Sequence, residues 1–257
     1  MLGTFVDATD WNEALACIEQ WTAAHESRTV YFCNVHSVVS ARRNAAFARA
    51  LAEADLAVPD GAPVAWMLRR MGFPGQRRVT GPDLMAHLCD RLRHASTPVF
   101  LYGSTPRTLE MLQQQLHARY PGLTIVGAIS PPFGAIDANA DADHVARIRA
   151  SGARVVFVGM GCPRQEVWCD AHRGQVHAVM VAVGAAFDFH AGTMARAPQW
   201  MQRNGLEWLH RLASEPRRLW KRYLIGNTVF IVGAAAQLMR GVRPAGTTQP
   251  ESDRVGE

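Results

Sequence analysis

The clearest candidate for acid–base chemistry is Asp60, which follows a short apolar run and precedes Gly61. A carboxylate in a cleft can take a proton from the hydroxyl group of a substrate, which is the role of a general base. An Asp-Gly pair is also common in turns. Because a helical pattern opened by Pro63 follows this pair, a tight hairpin is disfavoured. We therefore expect Asp60 and Gly61 to lie at a ligand crevice.

Two further polar side chains, Asn34 and His36, follow another apolar run. An amide and an imidazole delivered by the end of a strand are suited to binding a substrate. Asparagine also favours turns and the capping position of a following helix. The sequence leaves both roles open for Asn34.

A glycine turn at Gly103 leads into a helical segment, with Pro106 where the first helical turn tolerates proline. The free N–H groups and the dipole of a helix N-terminus favour an anion such as phosphate. Capping of the helix explains the same residues equally well. Gly103 is thus a candidate binding position with capping as its alternative.

A second turn of this kind spans residues 159–166 and carries more side-chain chemistry. Gly159 and Gly161 form the turn, and Arg164 can pair with a phosphate. Gln165 and Glu166 can bind hydroxyl groups or a base. The segment does not fit a dinucleotide-binding fingerprint, because Arg164 stands where the third glycine is required. We therefore disfavour nicotinamide chemistry.

Two other acidic positions have competing interpretations. Asp188, between Phe187 and Phe189, follows an apolar run and is a candidate for substrate contact, with a buried structural aspartate as the alternative. Asp141 and Asp143 form a D-x-D pattern within an alanine-rich stretch. A helix start is the favoured role for that pair, so no metal site is predicted.

The elements that position these residues are strands and helices in alternation. Buried strands are predicted at residues 29–33, 56–58, 98–102, 124–127, 154–158 and 178–183. Helical patterns lie between most of them, so the sequence predicts an α/β fold with a Rossmann-like, mostly parallel sheet flanked by helices. Ligands of such sheets bind beyond the carboxyl ends of the strands, where the candidates fall.

The C-terminal part differs from this pattern and carries the positive charge. The chain has a formal net charge of +5, yet residues 196–243 hold nine basic residues against only Glu207 and Glu215. We expect a catalytic domain at residues 1–191, a basic, tryptophan-rich appendage of two helices at 192–240, and a disordered tail at 241–257. The cations of the appendage that we expect to contact a diphosphate or a membrane surface are Arg211, Arg217, Arg218, Lys221 and Arg222.

Three partners fit this appendage: anionic lipid, a diphosphate, or nucleic acid. Cations beside interfacial aromatic residues and an apolar stretch favour a membrane surface. No nucleic-acid-binding module is recognisable, so nucleic acid is disfavoured. The apolar stretch of 15 residues at 225–239 is too short to span a bilayer, which takes about 20 residues.

The composition bounds the location and class of the protein. An apolar content of 48% is ordinary for a globular protein and excludes collagen-like and disordered classes. Five widely spaced cysteines without a zinc pattern favour a reducing compartment. The first residues lack the features of a signal peptide, so we expect a cytoplasmic protein at the inner face of the membrane.

Several motifs in order give the chain a family resemblance. They are Asn34 with His36, A-R-R-N at 41–44, A-D-L-A-V-P-D-G at 54–61, R-V-T-G-P-D-L at 78–84, the segments 159–166 and 184–192, and G-L-E-W-L from Gly205 with E-P-R-R-L-W from Glu215. Together they resemble the WecG/TagA/CpsF glycosyltransferases over roughly residues 28–230.

The resemblance implies an inverting, metal-independent and cofactor-free transferase that is peripheral to the membrane. Members move a sugar, typically N-acetylmannosamine, from a UDP-sugar to a polyprenyl-diphosphate-linked saccharide in cell-surface polysaccharide synthesis. The resemblance assigns the base to Asp60, its partner arginine to Arg78, and closure of the site to the appendage.

One departure concerns the donor: Phe32 stands where many members have threonine. It leaves the donor sugar open between N-acetylmannosamine and a related hexose. The alternative to an enzyme is a noncatalytic scaffold of a polysaccharide assembly complex. The oligomeric state is also open.

Overall fold

The computed structural model describes residues 1–241, without the side chain of Arg218. Six strands lie in this part of the chain: β1 (Arg28–Cys33), β2 (Leu56–Pro59), β3 (Val99–Gly103), β4 (Ile125–Ile129), β5 (Val155–Gly159) and β6 (Val179–Val181). The helices of the sheet region are α1 (Trp11–Ala23), α2 (Val35–Ala41), α3 (Ala45–Ala52), α4 (Ala62–Arg70), α5 (Gly81–His94), α6 (Pro106–Arg119), α7 (Ala138–Ala150), α8 (Arg164–Ala171) and α9 (Ala186–Ala191). The C-terminal helices are α10 (Gln199–Arg203), α11 (Glu207–Ser214) and α12 (Pro216–Met239).

The six strands form one sheet in the order β2-β1-β6-β5-β3-β4, and every neighbouring pair is parallel. All six predicted strands are therefore confirmed, with ends shifted by a few residues. The carboxyl ends meet at one edge. The register pairs Cys33 with Pro59, so the next residues, Asn34 and Asp60, emerge side by side.

Alternate residues of each strand face opposite layers of helices. Val30 and Phe32 belong to a core with helices α1, α5, α6 and α9, whereas Tyr31 and Cys33 belong to a core with helices α3, α7 and α8. Because both faces are covered, the strands carry near-continuous apolar runs. The predicted α/β class, with helices on both sides of the sheet, is confirmed.

Capping side chains and prolines lie at several helix starts. Thr80 caps α5, where its Oγ1 accepts from the N–H of Asp83 at 3.4 Å. Pro106 is in the first turn of α6, but Pro163 is the cap residue of α8. Asp141 lies in the first turn of α7, one turn after the cap.

The appendage consists of three helices rather than the two predicted, and α11 and α12 meet at Glu215. The short α10 was missed because five residues show no helical period. Helix α12 packs along α2 and α4 through a cluster that includes Val39, Met67 and Phe230. None of the helices in residues 1–241 is long and apolar enough to span a membrane. The predicted tail lies, apart from Gly241, outside the described residues.

Candidate functional site

Two adjoining cavities open at the carboxyl edge of the sheet. The first, here the appendage cavity, has an empty volume of about 1050 Å³ and lies between the Asp60 loop and α11 and α12. The second, the loop cavity, has about 1400 Å³ and is lined by the 159–166 segment. Six residues line both: Asn34, Asp60, Pro82, Phe189, Arg211 and Arg222. Asp60 therefore lies where the two cavities meet.

The end of β2 positions Asp60. Its backbone N–H donates to the carbonyl of Cys33 at 2.9 Å, which extends the β1–β2 ladder by one residue. Its Oδ2 accepts from Nδ2 of Asn34 at 3.4 Å. The side chain is partly buried, and its backbone is fixed by the sheet rather than by a mobile loop. A carboxylate held in this way is well placed for proton transfer.

The ionisation of Asp60 is shifted toward the physiological range. Burial raises its pKa from 3.8 to about 6, and the negative charge of Glu207 adds to the rise. The hydrogen bond from Asn34 and the charges of Arg78 and Arg211 act in the opposite direction. Desolvation dominates, and the group titrates near the pH at which a general base is most effective.

The structure confirms the capping role of Asn34 and places its amide at the cavities, while its role in substrate binding stays a prediction. It caps α2, where its Oδ1 accepts from the N–H of Ser37 at 3.2 Å, while its Nδ2 faces Asp60. His36 lines the appendage cavity, and its Nδ1 lies 3.2 Å from Oγ of Ser40. Burial and the charge of Arg222 lower the pKa of His36 to about 4, so the ring is neutral at physiological pH.

Arg78 reaches the same cavity because the chain before α5 continues the sheet edge. The N–H of Val79 donates to the carbonyl of Pro59 at 2.8 Å, beside Asp60. The Arg78 guanidinium forms an ion pair with Glu207 of α11 and lines the appendage cavity. The appendage thus folds over the predicted Asp60–Arg78 pair and adds an acid to it.

Gly61 and Gly205 bring the appendage close to the Asp60 loop. Gly61 caps α4 at a φ of 89° and lines the appendage cavity. Gly205 has a φ of 71°, and a Cβ at this position would lie 2.7 Å from Cβ of Ala62. A larger residue at 205 would push α11 away from the site.

The 159–166 segment forms one wall of the loop cavity, which Gly159 and Gly161 line. The Gln165 amide is used within the chain: Oε1 accepts from the N–H of Gly161 at 3.0 Å, and Nε2 donates to Glu166 at 2.9 Å and to the carbonyl of Ala182 at 2.9 Å. Gln165 therefore fixes the shape of the loop against β6. Burial raises the pKa of the adjoining Glu166 to about 7.

Two predicted binding residues lie away from the cavity surface. Gly103 is the register partner of Gly159 in the β3–β5 pair, and Ser104 and Thr105 line the loop cavity instead. Arg164 donates from Nη2 to the carbonyl of Pro132 at 2.8 Å and is not among the lining residues. Both residues hold the adjoining turns in place in this structure.

Asp188 and Phe32 both line the loop cavity. Asp188 accepts through Oδ1 from Oγ1 of Thr193 at 3.4 Å, so it is hydrogen-bonded within the chain, and its contact with a substrate stays a prediction. Phe32 is 8% exposed, and its ring lies beside Gly81. Its ring therefore forms part of the wall of the loop cavity.

The appendage cations divide into two groups. Arg211 and Arg222 line both cavities, and the Arg211 guanidinium lies 5.9 Å from the ring centre of Phe189. Arg217 and Lys221 are exposed on α12 and are not among the lining residues. The side chain of Arg218 lies outside the described part of the structure.

Several residues of the appendage cavity were not selected from the sequence: Thr80, Ala197, Glu207 and Asn227. Glu207 had one visible signal, since it is one of two acids in a strongly basic stretch and belongs to the G-L-E-W-L motif.

The D-x-D pattern at residues 141–143 has a structural role at its first position. Asp141 accepts from Nε1 of Trp168 at 2.8 Å and contacts Nε2 of His172 at 3.1 Å. It therefore joins α7 to α8. Among residues 1–241, no group of three or more histidine, cysteine or carboxylate side chains is arranged to hold a metal ion.

The arrangement combines a fixed carboxylate, two cavities that meet at it, and arginines around both. Such a site suits the transfer of a group from an anionic leaving group to a hydroxyl. A model of the glycosyl transferase WecG/TagA/CpsF family matches residues 1–244. The chain therefore belongs to this family of glycosyltransferases, which acts in the synthesis of cell-wall polysaccharides.

Proposed function

We propose that the protein transfers a hexose or N-acetylhexosamine from a UDP-sugar to a polyprenyl-diphosphate-linked saccharide, with inversion at the anomeric carbon. The observation that carries this proposal is the position of Asp60 at the meeting point of two cavities flanked by Arg78, Arg211 and Arg222. A single carboxylate there can serve an acceptor in one cavity and a donor in the other.

The reaction requires three coupled changes at this point. An acceptor hydroxyl oxygen attacks the anomeric carbon, and its proton passes to a carboxylate oxygen of Asp60. The bond between the anomeric carbon and the diphosphate oxygen breaks, and its electron pair leaves with UDP. Inversion follows when the attacking and departing oxygens lie on opposite faces of the sugar. A general base typically contributes about 10²–10⁴-fold to such a step.

We assign the nucleotide to the loop cavity. This cavity lies beyond the ends of β1, β3, β5 and β6, which is where open parallel sheets bind their ligands. The start of α6, at Ser104 and Thr105, and the turn into α8 both line it. Helix starts of this kind favour phosphate groups.

We assign the acceptor to the appendage cavity. It lies beneath α11 and α12, and its lining includes Trp208, Tyr223 and the two inward arginines of the appendage. A diphosphate of the acceptor would meet these cations, and its lipid would extend toward the exposed apolar side chains of α12.

The leaving diphosphate needs positive charge, which we assign to arginines rather than to a metal: Arg211 and Arg222, which line both cavities, and Arg78, which lines the appendage cavity with Asp60. Fixed guanidinium groups in a partly buried site stabilise developing negative charge strongly. Turnover that is unchanged by EDTA is expected. Loss of turnover with EDTA, restored by a divalent cation, would contradict the assignment.

The outward face of α12 supports docking on an anionic membrane surface. Exposed apolar residues continue along it, including Trp220, Leu224, Ile231 and Val232, with Arg217 and Lys221 near its start. The helix has 24 residues and is about 36 Å long. A helix with exposed apolar side chains beside cations can lie in the plane of a bilayer.

Thermal-shift measurements with a panel of nucleotide sugars, followed by transfer assays with a polyprenyl-diphosphate-linked acceptor, test the proposed function. A donor at 100 times its dissociation constant is expected to stabilise the protein by about 2.7 kcal/mol. Stabilisation by UDP-sugars and release of UDP only with acceptor are expected. The absence of both would contradict the proposed function.

A further inference from the structure

Four side chains of alternating charge connect the appendage to the site. Arg196 forms a two-pronged pair with Asp83, in which Nη2 lies 2.8 Å from Oδ2. Its Nε lies 3.3 Å from Oε1 of Glu207. The second oxygen of Glu207 pairs with Arg78. Each carboxylate oxygen of Glu207 thus pairs with a different arginine, so Glu207 links Arg78 to the Arg196–Asp83 ion pair.

Helix α11, which carries Glu207, packs on the rest of the protein with partly exposed side chains. Helix α11 contains no buried residue, so its attachment gains little from apolar burial. Its aromatic contacts involve partly exposed groups, such as Trp208, whose ring centre lies 5.7 Å from that of Tyr223. The Glu207 ion pairs, with both partners less than a quarter exposed, are therefore a large part of what fixes α11.

We propose that Glu207 is a positioning residue that orients the Arg78 guanidinium toward the substrates and couples it to the closure of α11 over Asp60. The effect of Glu207 on catalysis rests on the proposed function, whereas its effect on the attachment of α11 does not. Because Arg211 lies on the same helix, one carboxylate sets the position of two of the three proposed diphosphate ligands.

The electrostatic consequence concerns Asp60. The charged and titratable groups that line the appendage cavity around it are Glu207 and Arg211 from α11, Arg78 from the segment before α5, His36 from α2, and Arg222 and Tyr223 from α12. On the side of the loop cavity they are Cys162, Glu166, Asp188 and Glu215. The charge of Glu207 raises the pKa of Asp60. Removal of its charge is expected to lower that pKa, so Asp60 stays ionised to lower pH.

Hydrogen–deuterium exchange tests the structural part without any substrate. In Glu207→Gln, amides of residues 207–214 are expected to exchange about tenfold faster, because opening of the helix costs less when an ion pair is lost. Glu19→Gln is the matched control, since it breaks an exposed Arg–Glu pair between α1 and α5 at 2.8 Å. It is expected to leave α11 unchanged. Equal exchange of α11 in wild-type and Glu207→Gln protein would overturn its proposed role.

The pH profile of kcat/KM tests the coupling to the site. The acid limb of Glu207→Gln is expected at lower pH than that of the wild type, together with reduced activity. Glu207→Asp keeps the charge but is too short for both arginines, so it should loosen α11 while leaving the limb nearly in place. An unmoved limb in Glu207→Gln would overturn the electrostatic coupling. Failure of every UDP-sugar to react would refute the proposed function instead. The hydrogen–deuterium exchange result would still test the role of Glu207 in holding α11, because it needs no substrate.

Discussion

Replacement of Asp60 by asparagine separates the chemical role of the carboxylate from its structural one. The two side chains have nearly the same shape, and the 3.4 Å contact with Asn34 remains available to an amide oxygen. The substitution removes the proton-accepting group. We expect kcat to fall by about 10²–10⁴-fold, which is the usual contribution of a general base.

The same substitution is expected to stabilise the protein at neutral pH. The pKa of Asp60 rises from 3.8 to about 6 on folding, mainly through burial, and this corresponds to about 3 kcal/mol at about 1.36 kcal/mol per unit. The folded state binds the proton of Asp60 more tightly than the unfolded state does. The free energy of unfolding of the wild-type protein therefore falls by this amount as pH rises from about 4 to about 6. Asparagine does not ionise, so Asp60→Asn should be more stable than the wild type at pH 8 and equally stable at pH 3.

Denaturant unfolding across pH and steady-state kinetics measure the two effects. The wild-type kcat/KM is expected to fall about tenfold per unit below about pH 6 and to be level above it, and this limb should be absent from the residual activity of Asp60→Asn. Wild-type turnover in Asp60→Asn would refute the base assignment. A variant no more stable than the wild type at pH 8 would refute the claim that burial raises the pKa.

Three further variants test the surroundings of the site. Asn34→Ala removes a hydrogen bond that lowers the pKa of Asp60, so the acid limb of kcat/KM should move to higher pH. Arg217→Glu with Lys221→Glu should weaken sedimentation with anionic vesicles at least about tenfold, since each surface cation contributes about 1 kcal/mol. Gly103→Ala should lower the free energy of unfolding by about 3 kcal/mol or more, because its Cβ would lie 2.4 Å from a backbone carbon of β5 at a φ of 132°.

Two of these three variants have a matched control, and the third has an outcome that would contradict it. A limb that stays in place in Asn34→Ala would contradict the role of that hydrogen bond. Arg107→Glu with Arg149→Glu makes the same charge change on exposed positions of α6 and α7 and should retain vesicle binding; equal loss in both pairs would indicate a nonspecific charge effect. Gly75→Ala, where the added Cβ meets nothing within 4 Å, should be nearly neutral.

Local patterns in the sequence determined the sheet and much of the site. Apolar runs with polar ends predicted all six strands, and the edge rule for parallel sheets then placed Asn34 and Asp60 among the ligand-binding candidates. These predictions work because strand periodicity and helix capping depend on neighbouring residues. Asn34 shows the limit of such reasoning, since capping and a place in the cavity were alternatives in the sequence, but the fold gives the residue both: its Oδ1 caps α2 while its Nδ2 faces Asp60.

Tertiary structure alone decided which charges face each other. The basic stretch did not distinguish Arg211 and Arg222 from Arg217 and Lys221. The packing of α11 and α12 at the edge of the sheet places the first two at the cavities and leaves the other two exposed. Glu207 meets Arg78 across 129 positions of the chain. An ion pair of that kind, and the burial that raises the pKa of Asp60, depend on distances between elements far apart in sequence, which no local pattern encodes.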